Sequence, residues 1–224
     1  MINKKIAVLG TGANGSSVAA DLTSNGLDVK LIDQWPEHVE KMRKDGLKIE
    51  MPDRTLETKV DAYHLCDVAT FTEKFDIVLL FVKAYDTDWA CELIKPYLKE
   101  DGILVGVQNC MMAEVISDIV GPNRTIGCVA ELSSELFDPG QIKRNTPPEG
   151  TWFGLGALTP EMKKRIPEIE EVMKFAGKVG ISEEILSAKF MKLVVNVMGM
   201  GLKAIGDMTP SEAYALDGMK DVML

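Results

Sequence analysis

Short apolar runs and amphipathic stretches follow one another along this chain in regular alternation. Residues 5–9 (KIAVL) are compact and apolar, as a strand covered on both faces must be, and the glycine-rich turn after them runs into helical spacing up to Gly26. Residues 27–32 predict a second strand, so a β-turn-α-β unit is complete by Asp33. Residues 35–45 then read as a helix, 46–63 as a hairpin or pair of strands from their alternation, and 75–82 (FDIVLLFV) as a fully buried strand. The alternation repeats with a helix over 86–99, a strand over 102–107, a helix over 111–120 and a strand over 125–132. From Asp138 the segment DPGQIKRNTPPEG is turn-rich, after which 151–157 predicts a strand and 160–175 an amphipathic helix. Residues 187–206 (SAKFMKLVVNVMGMGLKAIG) are almost wholly apolar and predict a buried helix, with Met198, Met200 and Met208 filling its core. The fold class that follows is α/β. A Rossmann-type, doubly wound, mainly parallel sheet occupies residues 1–182, and 183–224 form the first helices of an all-helical C-terminal domain.

Charge and composition then remove several classes of function. The chain has 25 Lys and Arg against 34 Asp and Glu, a net charge of −9, and no basic run, so nucleic acid is not an expected partner. The longest clean apolar run is 77–82, and the N-terminal MINKKIAVLG lacks the long apolar core of a secretory signal, which predicts a cytoplasmic protein without a membrane partner. Cys66, Cys91, Cys110 and Cys128 form no Cys-x-x-Cys pair and read as reduced core thiols. His38 and His64 stand alone, so no metal site is expected.

The turn after the first strand, GTGANG, matches G-x-G-x-x-G at Gly10, Gly12 and Gly15, with Thr11, Ala13 and Asn14 between them. Its position between a strand and a helix is what gives it weight. Gly10 allows the tight turn, Gly12 a close approach of pyrophosphate to the backbone, and Gly15 close packing of helix on strand, with the helix N-terminus facing the phosphates. Asp33 lies 18 positions beyond Gly15, at the end of the second strand, where a carboxylate accepts from both ribose hydroxyls and repels a 2′-phosphate. These residues favour NAD(H).

Reduction of a carbonyl by a nicotinamide also needs a proton donor. No Tyr-x-x-x-Lys pair occurs and no histidine lies in the second half, which leaves lysine. Lys192 interrupts the apolar run FMKLVVNVMGM, with Asn196 one turn onward on the same face; either it is a buried general acid or its ammonium emerges from a helix end. Lys189, one turn earlier, is expected to face solvent. Lys83 and Asn109 follow the strands LLFV and LVGV, on the edge where ligands bind in such sheets. Glu131, at the end of another strand on that side, reads as an exposed carboxylate.

Taken together, these residues make the chain resemble the ketopantoate reductase (2-dehydropantoate 2-reductase) family over essentially its whole length. The resemblance rests on GTGANG, on FVKAYDT with Lys83, on VQNCMMAE with Asn109, on the Pro-Gly turn of ELFDPGQIKR, and above all on KLVVN, similar to the family's Lys-Leu-x-x-Asn. It implies that Lys192 is the general acid, that Asn196 binds the substrate's hydroxyl or carboxylate end, and that Lys83 and Asn109 flank nicotinamide and substrate. It also implies NADP(H) as an alternative cofactor. Three positions depart from the family: Cys110 where glycine usually follows the loop asparagine, Met200 where a second asparagine usually follows on the catalytic helix, and Asp33 itself. Losing the amide at Met200 points to a more apolar 2-oxo acid, branched or aromatic.

The expected function is therefore NAD(P)H-dependent reduction of a 2-oxo acid, ketopantoate or a relative of it, to the 2-hydroxy acid. The alternatives are an opine-type dehydrogenase reducing an imine and a non-catalytic dinucleotide-binding sensor. The expected partner is a small 2-oxo acid, with a homodimer through the helical domain left open. Because residues 183–224 are too few to close a site, the chain reads as a truncated part of a longer enzyme, expected to self-associate and to turn over poorly alone.

Overall fold

The computed structural model describes residues 2–219 and 221. In chain order it contains β1 (Lys5–Leu9), α1 (Ala13–Ser24), β2 (Asp28–Asp33), α2 (Pro36–Asp45), β3 (Leu47–Glu50), β4 (Thr55–Thr58), β5 (Asp61–His64), β6 (Phe75–Leu80), α3 (Thr87–Ile94), β7 (Leu98–Gly106), α4 (Met112–Val120), β8 (Thr125–Glu131), β9 (Ser134–Asp138), β10 (Gln141–Arg144), β11 (Trp152–Ala157), α5 (Pro160–Lys163), α6 (Ile166–Met173), β12 (Lys178–Ile181) and α7 (Ile185–Asn196). A wide π turn, Val197–Gly201, leads from α7 into α8 (Leu202–Ile205), and α9 (Pro210–Ala215) follows.

The main sheet has eight strands in the order β12-β11-β8-β7-β6-β1-β2-β5. Only the β11–β8 pair is antiparallel. The apolar strands of the sequence are apolar because both faces are covered. In β1, Ile6 and Val8 join one core with α1 and α6, whereas Ala7 and Leu9 join the other with α3 and α4; Ile77 and Leu79 of β6 likewise oppose Val78 and Leu80. The chain leaves β1 toward β2 on one side and returns to β6 on the other, so the strand order reverses at the carboxyl ends of β1 and β6. That is where open parallel sheets form ligand crevices.

A second sheet, β4-β3-β10-β9, lies against α1. The turn-rich reading of DPGQIKRNTPPEG is corrected in its first half: the Pro-Gly turn joins β9 to β10, and β10 pairs in parallel with β3. The equally short β3, β4 and β5 fall in the alternating stretch 46–63, whereas β9 and β10 flank a Pro-Gly turn whose residues mask their alternation. β12 and the break between α5 and α6 carry no such pattern in the sequence. The small sheet is held to the main body by a buried ion pair between Arg144, which is fully buried, and Asp21 of α1. Arg144 also donates to the carbonyls of Thr146 (2.8 Å) and Ala176 (3.0 Å) and to Thr151 Oγ1 (3.0 Å).

The buried helix expected over 187–206 is also corrected. Phe190, Met191, Val195, Val197, Met200 and Ile205 are all exposed. Met200 fills no core. The stretch Ile185–Ile205 is long and apolar enough to cross a membrane by composition, although it carries three lysines and its N-terminal part is seated on the sheet edge. The thiols divide: Cys91 and Cys128 are buried, and burial pushes both up to about 12, whereas Cys110 is half-buried and Cys66 exposed.

Candidate active site

The glycine loop is shaped by what surrounds each residue. Gly10 has φ +91°, and a Cβ on it would lie 2.7 Å from the Val82 nitrogen, so turn geometry and the neighbouring β6 exit both demand glycine. A Cβ on Gly15 would stand 2.2 Å from the Gly10 carbonyl oxygen. Gly12 is different: nothing in the protein lies within 4 Å of where its Cβ would be. The fold leaves a cradle there that it does not itself use. Gly12 is the N-cap of α1, and no side chain caps that terminus, so its first amides face the crevice with Ala13 and Asn14.

Beside this loop opens a cleft of about 310 Å3, lined by Gly10, Gly12, Asp33, Trp35, Leu65 and Val82 among others. Asp33 is 8% exposed; Thr11 Oγ1 donates to its Oδ2 (3.1 Å) and the Trp35 amide to its Oδ1 (2.9 Å). Both oxygens are thus oriented by the protein, and the carboxylate caps the chain entering α2 while facing the cleft. Thr11, fully buried, is held in turn by His38. The Gly140 amide donates to His38 Nδ1 (2.9 Å), which places the ring proton on Nε2, and Nε2 donates to the Thr11 carbonyl (2.9 Å). Burial keeps the imidazole below its usual pKa, against the pull of Asp33 and of the Thr11 carbonyl. His38 thus staples the Pro-Gly turn of the small sheet to the glycine loop. Nothing in its sequence context signals this, because its partners lie 27 and 102 positions away.

The remaining candidates line the same edge. Lys83 follows β6 and Asn109 follows β7, both exposed. Asn109 precedes Cys110, whose φ is +68°. This left-handed conformation is one that glycine adopts without cost, so a cysteine there is held under backbone strain. Lys192 is partly exposed, and its Nζ lies 4.0 Å from Glu131 Oε1 at the end of β8. Glu131 is thus an exposed carboxylate that also faces the candidate acid. Asn196 ends α7, half-buried.

Lys189 corrects the expectation of a solvent-facing residue. It is 3% exposed, and its Nζ donates to the carbonyls of Gln108 (2.9 Å) and Cys128 (3.0 Å). Burial lowers its pKa, with the Cys128 and Cys110 thiols acting in the opposite sense. Helical spacing alone cannot tell which of two lysines three positions apart turns inward. That depends on which face docks on the sheet.

A family model described as "Ketopantoate reductase PanE/ApbA" matches residues 6–157. The chain belongs to the ketopantoate reductase family. It is 29% identical over 220 residues to the 2-dehydropantoate 2-reductase of Nostoc sp. (strain PCC 7120), covering 96% of this chain and 67% of that one. Across three such curated relatives the chain spans 56–67% of their length. Its fold matches a ternary structure of D-mandelate dehydrogenase with NADH and anilino(oxo)acetate, with a TM-score of 0.90 at 23% identity, over 98% of this chain and 70% of that one. The 2-dehydropantoate 2-reductase of Geobacter metallireducens gives a TM-score of 0.87 at 25% identity, over 98% and 71%.

Proposed function

We propose that this chain forms the cofactor-binding part and the start of the helical part of a cytoplasmic NAD(P)H-dependent reductase of 2-oxo acids, with NADH preferred. The observation that carries the reading is that the glycine loop, Asp33 and Lys83 line one cleft at the carboxyl ends of β1, β2 and β6, while the Lys192–Glu131 pair stands outside that cleft at the carboxyl end of β8 on the same side of the sheet, in a member of the ketopantoate reductase family. The residues present fit a dinucleotide: the space at Gly12 admits a pyrophosphate, the uncapped amides of α1 bind it, and the oriented carboxylate of Asp33 accepts from both ribose hydroxyls. A buried carboxylate in that place opposes a 2′-phosphate, which supports NADH over NADPH.

A bound nicotinamide supplies the hydride for the carbonyl carbon. Lys192 donates the proton to the carbonyl oxygen as negative charge develops on it, and Glu131 holds the ammonium at the sheet edge. Asn196, one turn onward on the same face, binds the substrate's hydroxyl or carboxylate end, while Lys83 offers positive charge for the carboxylate and Asn109 an amide for ribose or substrate. The place of a second amide is taken by Met200, which favours a branched or aromatic side chain over the hydroxylated one of ketopantoate. Residues 183–224 supply the first helices of the domain that closes the site, and a homodimer through that domain is part of the proposal.

The test is a panel of ketopantoate, 3-methyl-2-oxobutanoate and phenylglyoxylate run with NADH and with NADPH, each with and without an added amine. Reduction without amine and faster with NADH supports the proposal; amine-dependent turnover supports an imine reductase, and NADH binding without turnover a sensor. Lys192→Ala is expected to lower kcat by about 10²- to 10⁴-fold with NADH affinity unchanged. Wild-type turnover in that variant removes Lys192 from the mechanism.

A further inference from the structure

Helix α7 meets the sheet through very little surface. Of its 12 residues the buried ones are Ile185 and Lys189, four apart and therefore on one face. Ile185 fits because Gly127 and Gly156 have no side chains: a Cβ on either would stand 2.7 Å from it. Lys189 makes the other half of the contact, through polar atoms. β7 and β8 are paired from Leu104 with Thr125 to Gly106 with Gly127. The two carbonyls that accept from Lys189, those of Gln108 and Cys128, lie just past this last rung, where the strands part and their ladder ends.

An ammonium brings three donors and no acceptor to two carbonyls that would otherwise be buried without partners. An apolar side chain of the same length would fill the space and leave both unsatisfied. Desolvation opposes the charge, and the ionisable groups acting on it are the two cysteine thiols, with no carboxylate among the described residues. The site therefore accepts an electrostatic cost to gain bonds that no apolar residue could make.

We propose that Lys189 is a positioning residue, a polar clamp that joins the diverging ends of β7 and β8 to α7. In doing so it sets two parts of the candidate site at once. Its bond to the Gln108 carbonyl fixes the segment that places Asn109 and the left-handed Cys110. Its bond to the Cys128 carbonyl fixes the rotation of α7, and hence where the stem of Lys192 begins, one turn further along. Misplacement of a reacting group by about 1 Å can cost about 100-fold in rate, so a clamp remote from the chemistry can govern it. The catalytic consequence rests on the reductase reading, whereas the clamp itself does not.

The test compares wild type with Lys189→Met and Lys189→Arg in the full chain. In Lys189→Met, amide hydrogen exchange over 107–112 and 185–196 is expected to rise by about 10- to 100-fold, with exchange over 6–24 unchanged. Affinity for NADH should stay within about threefold, while kcat for the best acid of the panel falls by about tenfold or more and KM changes less. Lys189→Arg, which retains charge and donors, should recover most of the protection and of kcat. Wild-type exchange over 107–112 in Lys189→Met overturns the clamp, whatever the activity. So does a rise spread evenly over the whole chain, which would mark a merely structural residue. If Lys189→Met does not fold, Lys189→Arg decides: loss of protection over 107–112 there, with the rest of the sheet intact, overturns the proposal, and retained protection supports it. If wild type reduces no acid of the panel, the reductase reading fails while the exchange measurement still judges the clamp.

Discussion

Gly12 and Gly15 belong to one motif but answer to different constraints. Gly15 is held by the fold, because its Cβ would meet the Gly10 carbonyl at 2.2 Å, whereas Gly12 has open space around it. Gly12→Ala is therefore expected to leave the thermal midpoint within about 2 °C of wild type, since the change is a surface one, while lowering NADH affinity by about tenfold. Fluorescence titration beside a melting curve checks both. The same spacing that revealed the motif could not separate these two roles. Nor could it orient Lys189 and Lys192: in an apolar helix each lysine is an equal interruption, and only the docked face turns one inward to two carbonyls and leaves the other beside Glu131.

At the scale of elements, the site is assembled where strands end and α7 crosses them. The helix depends on two glycines as much as on its own residues. Gly127→Ala would drive a Cβ to 2.7 Å from Ile185 and lift α7 away, at a cost of about 1–3 kcal/mol. We expect kcat to fall further than that stability change explains, because Lys192 and Asn196 move with the helix; urea unfolding and steady-state kinetics on the same preparation separate the two effects. The long strands and helices of the main sheet were legible from periodicity, since burial on both faces forces continuous apolar runs such as 75–80. β9, β10 and β12 were not, because turn-forming residues border them and pairing with neighbouring strands, not a pattern of their own, defines them.

At the scale of the whole molecule, two long-range ties hold the small sheet to the cofactor crevice. The first is Arg144–Asp21. Burial pushes Asp21 up to about 6 against the pull of the guanidinium, so at pH 7.5 the carboxylate is charged and the pair intact. Asp21→Ala leaves a fully buried arginine without its counter-ion and is expected to cost about 3–5 kcal/mol by denaturant unfolding at that pH. The second is His38, neutral in the fold and lowered in pKa by burial. A depressed folded value means that the unfolded chain binds the proton more readily. The contribution of His38 is thus fully present above the unfolded value of about 6.5 and is lost as pH falls through the lower folded value. The thermal midpoint should drop on acidification through this window, and His38→Gln should flatten the profile.

Local patterning along the chain specified the doubly wound sheet, the glycine loop with Asp33 after the second strand, and a lysine–asparagine pair on an apolar helix. These are local facts, set by which residues can line a two-sided strand, a tight turn or one helical face. Long-range packing set which lysine is buried, that His38 serves the glycine loop, and that Cys110 occupies a left-handed backbone. Each of these turns on partners far apart in the chain, brought together by the packing of elements whose own patterns are silent about where they dock.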